Sequence, residues 1–98
     1  MKKSANGKNF DEIFAQRGKK VRLCDLIGGE CYMWTNSVYD DMLIEYRQHS
    51  PNSILSVHGI CGDGSYSGEF DWFCHERMNN IFFTATPDQI DLLKYYQK

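Results

Sequence analysis

Apolar positions along this chain change period several times, and each change marks an element. Phe10, Ile13 and Phe14 recur at i, i+3 and i+4, which predicts a helix over residues 10–17. Asn9 is its cap, Asp11 and Glu12 suit its positive end, and Gly18 is placed to close it in the left-handed conformation. Residues 19–24 then alternate, with Val21 and Leu23 on one face and Lys20 and Arg22 on the other. Residues 30–35 alternate as well, with Cys31, Met33 and Thr35 opposing Tyr32 and Trp34. The pair Gly28-Gly29 between these two strands predicts a hairpin-type return.

The middle is harder to read. Val38, Tyr39, Met42, Leu43 and Tyr46 form a helical stripe after a capping box at Ser37 and Asp40, so a helix is expected over 38–48. A strand over 42–48 is the alternative. Ser50 to Ser53 is a turn, 54–60 a strand, 61–68 a flexible loop and 69–75 a further strand. A turn near Met78, Asn79 and Asn80 leads to a buried strand over 81–84. Thr86-Pro87-Asp88-Gln89 combines a hydroxyl cap, a first-turn proline and a closing glutamine, and starts the last helix. The expected fold is α+β: one small domain over 9–98, with an antiparallel sheet of about five strands and two or three short helices. Residues 1–8 read as a flexible basic tail.

Charge adds an asymmetry. Seven of the 11 basic residues lie at or before Arg22, facing only Asp11 and Glu12, whereas 11 of the 13 acidic residues follow it. A protein that tracks duplex DNA carries its cations over a whole face, so a DNA duplex is not the expected partner. The basic end reads either as a solvated tail and strand edge or as an anion site around Lys20 and Arg22. No apolar run approaches the roughly 20 residues needed to span a bilayer, and Ser4 to Lys8 interrupts any secretory signal, so a cytoplasmic protein is expected. Cys24, Cys31, Cys61 and Cys74 are then reduced thiols. Ninety-eight residues bury a modest core, which makes self-association a natural supplement.

The reactive side chains do not form a familiar motif. His58 and Cys61 with Cys74 and His75 supply four zinc-type ligands, yet adjacent strand residues point to opposite faces, so no metal site is expected. Cys61 with His58 or His49 is a nucleophile pair by inventory only. Asp40 and Asp41 point apart on a helix. No catalytic residue and no cofactor are assigned. The loop from Gly62 to Gly68 is either a plain hairpin connection or an anion cradle, with Asp63 accepting from a ribose hydroxyl and Ser65 meeting phosphate. Asp71 stands near that loop.

The block from Asn9 to Trp34 resembles the opening of small phage proteins of the Thoeris anti-defence type, second family. The matching residues are Phe10, Ile13, Gly18, Lys19, Lys20, Val21 and Arg22, then Gly29 and Tyr32. The end of the chain, Thr86 to Leu92, is similar to that family's closing segment. The resemblance implies an oligomeric, non-catalytic sponge in the host cytoplasm that traps a cyclic nucleotide-like immune signal. Lys20 and Arg22 would hold phosphates, and Tyr32 and Trp34, across the expected hairpin, would stack on a base. The same alternation equally fits rings that face the core. The alternative function is direct inhibition of a host defence protein, since aromatic density suits interface hot spots.

Overall fold

The computed structural model describes residues 9–36, 40–49, 54–73 and 80–97. They form α1 (Phe10–Phe14), β1 (Lys20–Val21), a 3₁₀ turn (Leu23–Asp25), β2 (Cys31–Asn36), β3 (Asp40–His49), β4 (Ile54–Cys61), β5 (Tyr66–Phe73), β6 (Ile81–Thr84) and α2 (Pro87–Tyr96). The architecture is α+β, as expected, with six antiparallel strands in the order β1-β6-β2-β3-β4-β5. No helix among the described residues is long and apolar enough to cross a membrane.

Two expectations about the sheet are corrected. Residues 40–49 are a strand, in line with the alternative reading over 42–48 and not with the helix, and Met42, Leu43 and Ile44 are all fully or almost fully buried. Both faces of the sheet are covered there, so the apolar positions run consecutively and imitate a helical stripe. The hairpin between the basic strand and β2 is also absent. β6 lies between β1 and β2 and is antiparallel to both, so β1 and β2 run parallel and two strands apart. The basic strand itself is short, and Leu23 already belongs to the 3₁₀ turn.

The core has two layers. On one face Met33, Leu43 and Ile60 pack against Phe10, Ile13 and Phe14 of α1 and Leu92, Leu93 and Tyr96 of α2. On the other, Tyr32, Trp34, Met42, Ile44, Tyr46, Val57 and Phe82 cluster, with Leu23 and Leu26 of the 3₁₀ turn region packed against them. The Tyr32 hydroxyl accepts from the Ile27 amide at 2.9 Å, and Trp34 donates to Asn80 at 2.8 Å.

The helices are tied together by Gln89. It completes the expected capping box with Thr86, and its fully buried amide also donates to the Ile13 and Gln16 carbonyls at 3.0 and 2.6 Å. One side chain therefore starts α2 and satisfies the carbonyls that end α1. Gly18 has a different role from the one expected. Among the described glycines only Gly29 and Gly64 have positive φ. Gly18 is required by close approach: a Cβ there would sit 2.2 Å from the Thr84 hydroxyl. That contact, with amide bonds from Gly18 and Lys19 to Thr84, fastens β1 to β6.

Candidate functional site

The seven residues proposed from sequence fall into three places. Lys20 and Arg22 stand at the β1 edge, where they line an open cleft of about 450 Å³ with Lys19, Val21 and Asp25. Tyr32 and Trp34 are core side chains, 4 % and 0 % exposed, so neither offers a face to a ligand. Asp63 and Ser65 belong to the turn that joins β4 to β5, and Asp71 is an exposed residue farther along β5. β1 and β5 are opposite edges of the sheet, about 24 Å apart at the usual strand spacing. The seven residues do not converge.

The Asp63 turn is internally satisfied. Its carboxylate accepts from the Ser65 hydroxyl at 2.6 Å and the Ser65 amide at 2.9 Å, which hold it below the usual carboxylate range. The Gly64 amide bonds back to Cys61, and Gly64 takes the left-handed conformation a tight hairpin needs. Residues 61–65 are thus an ordinary hairpin connection. Cys61 packs on the sheet face opposite His58, which separates that proposed thiol–imidazole pair. Cys74 and His75 lie outside the described residues, as does the turn at Met78 and Asn79.

At the β1 edge the charges are little used. Arg22 donates through Nε to Asp25 at 3.0 Å, and its side chain is 81 % exposed. The hydrogen bond raises the guanidinium and lowers the carboxyl from their ordinary values. Among the described residues, neither Lys19 nor Lys20 forms an ion pair. Arg17, close in sequence, is committed to the fold: it donates to the Phe14 and Gln16 carbonyls, pairs with Asp41 at 3.0 Å and lies over Phe83. The available cations are therefore Lys19, Lys20 and Arg22.

A second polar group was missed. Cys31, Glu45 and His58 are direct cross-strand partners on β2, β3 and β4, forming a row across the helix-covered face. His58 is 5 % exposed, and its Nε2 lies 2.5 Å from Glu45 Oε1. Its Nδ1 lies 3.0 Å from the Tyr66 hydroxyl. The Gln97 amide nitrogen lies 3.1 Å from Nε2 and 3.4 Å from Nδ1. Beside this row, Glu45, Cys31, Glu30, Lys94 and Gln97 line a small cleft of about 180 Å³. Burial, reinforced by Glu45 and Glu30, pushes the Cys31 thiol up to about 11, so it is not a thiolate nucleophile at neutral pH. Cys31, Glu45 and His58 meet only through the pairing register of β2, β3 and β4, which neither the helical reading of 38–48 nor the strand alternative over 42–48 fixes.

No protein-family model, curated protein or solved structure matches this chain.

Proposed function

We propose that the protein is a phage-type anti-defence binding protein that sequesters a nucleotide-derived immune signal in the host cytoplasm without transforming it. The observation that carries this reading is the open cleft at the β1 edge, where Lys19 and Lys20 form no ion pair among the described residues and Arg22 pairs there with a half-exposed aspartate. Exposed ion pairs of this kind contribute little, so a phosphate displaces Asp25 at small cost. Charge-assisted bonds to phosphate then supply the affinity, about tenfold or more per cation. The base is not held by Tyr32 or Trp34, so recognition rests on the anionic part of the ligand. Assembly of several copies would add avidity.

Mass spectrometry of protein purified from immune-activated cells tests the reading: a nucleotide is released on denaturation. The double variant Lys20→Glu/Arg22→Glu comes out empty. Wild-type protein that carries nothing, and shows no thermal shift across a panel of cyclic nucleotides, refutes it.

A second reading is direct inhibition of a host defence protein. Its support is Ile27, 62 % exposed and only two residues beyond Asp25, an apolar anchor beside a charged rim. A stoichiometric partner recovered from host lysate and lost in Ile27→Asp would favour it over the first reading.

A further inference from the structure

The Glu45–His58–Tyr66 row has the connectivity of a hydroxyl-activating relay, and nothing in the sequestration reading uses it. A carboxylate only accepts hydrogen bonds, so the 2.5 Å contact assigns the proton of His58 to Nε2. With Nε2 donating to Glu45, Nδ1 is left as the ring's acceptor, and the Tyr66 hydroxyl at 3.0 Å is its closest partner; the Gln97 amide nitrogen lies 3.1 Å from Nε2 and 3.4 Å from Nδ1 and in this tautomer can donate only to Nδ1. Hydroxyl, imidazole and carboxylate are thus ordered as in the hydroxyl–imidazole–carboxylate constellation of nucleophilic sites. The imidazole is buried and held on both sides, while the Tyr66 side of the row reaches solvent, with that residue 43 % exposed. A purely structural histidine does not require its second nitrogen to face the hydroxyl of a half-exposed tyrosine.

We propose that Tyr66 is a reactive hydroxyl that accepts acyl groups from small activated esters. In the step, the Tyr66 oxygen forms a bond to the ester carbonyl carbon as its O–H proton passes to His58 Nδ1. The bond from that carbon to the leaving alkoxide or phenolate then breaks, and the imidazolium returns the proton to the leaving group. No electrons are gained or lost. Glu45 acts as a positioning residue: it fixes the tautomer and stabilises the imidazolium.

The molecule carries its own reference, because Tyr95 on α2 is 45 % exposed and lies outside the row. The full chain is treated with p-nitrophenyl acetate, and acetyl adducts are quantified on the peptides carrying Tyr66 and Tyr95. General-base assistance is expected to make Tyr66 react at least about tenfold faster than Tyr95. His58→Gln brings Tyr66 down to the Tyr95 rate. Glu45→Gln keeps an oxygen acceptor for Nε2 but removes the charge, so it slows Tyr66 without lowering Tm, an outcome that a structural role alone would not produce. Equal wild-type rates at the two tyrosines overturn the proposal, as does an unchanged Tyr66 rate in a folded Glu45→Gln variant. If His58→Gln does not fold, the wild-type ratio and Glu45→Gln decide alone.

Discussion

The β1 edge and the polar row under α2 hold charged groups under opposite conditions. At the edge, Arg22 and Asp25 meet in solvent, and Lys19 and Lys20 have no carboxylate partner among the described residues. In the row, the carboxylate, the imidazole and the phenol lie 2.5–3.0 Å from their partners, against a ring that is 5 % exposed. A charge in water keeps its hydration and can be exchanged for a ligand cheaply; a buried one is fixed by partners whose loss leaves it unsatisfied. The comparison teaches that availability for binding and contribution to stability sit in different parts of this sheet. Substitutions should separate them.

The largest effect is expected beside the row. Gly59 neighbours His58 on β4 and presses on β3: a Cβ there would lie 2.1 Å from the Leu43 carbonyl oxygen and 2.9 Å from Ile44 Cα. Both obstacles are backbone, which cannot step aside without breaking the ladder that carries Glu45. Gly59→Ala should therefore cost about 3 kcal/mol or more, read as a lowered denaturant midpoint or failure to fold. A variant as stable as wild type would show that β3 and β4 are not packed this closely.

A contrast in thiol chemistry comes next. The Cys31 thiol in the row is pushed up to about 11 by burial, with Glu45 and Glu30 adding to the effect, whereas Cys24 in the 3₁₀ turn is exposed. At pH 8, Cys31 should alkylate about a hundredfold more slowly than an ordinary exposed thiol, following its smaller thiolate fraction, with the Cys24 peptide as internal reference. The sign for stability follows from linkage. Above the ordinary thiol range the unfolded chain releases this proton while the folded chain keeps it, so stability falls as pH rises from 9 towards about 11. Cys31→Ala should flatten that fall; comparable alkylation of Cys24 and Cys31 would contradict the burial.

Gln89→Leu removes donors from the Ile13 and Gln16 carbonyls and the acceptor for the Thr86 amide. Leucine fills much of the volume, so the loss is mainly unsatisfied backbone, about 2 kcal/mol. Chemical denaturation measures it. A change below about 0.5 kcal/mol would mean that water replaces the amide.

Legibility followed the same divide. The chain's last third was readable because its grammar is local: Thr86 and Gln89 cap α2 as read, and β6 occupies 81–84 as expected. The helix at Phe10 was legible too, although it ends at Phe14, with the segment beyond it held by Arg17 and Gly18 contacts. β3 was legible only as the alternative to a helix, since Met42, Leu43 and Ile44 are buried on alternate faces of a sheet covered on both sides. Strand order was not legible: β6 inserts between β1 and β2, a pairing between residues some 50–60 positions apart that no short window contains. That insertion is what moved Arg22 away from the expected partnership with Tyr32 and Trp34. The cations were recognised from charge; the Glu45–His58 pair was not, because it exists only once β3 and β4 are in register.

The smallest effect belongs to the edge, where it tests the binding reading most directly. Asp25→Asn removes the carboxylate that occupies the Arg22 guanidinium and leaves a neutral side chain of the same shape. Tm should stay within about 2 °C of wild type, because an exposed pair contributes little. Affinity for a phosphate-bearing ligand should rise a few-fold, and the gain should shrink with added salt as screening sets in. Lys20→Glu is the opposite control, equally neutral to folding but weaker in binding. Should Asp25→Asn weaken the ligand instead, Asp25 would be a ligand contact, and the cleft would recognise a hydroxyl as well as an anion.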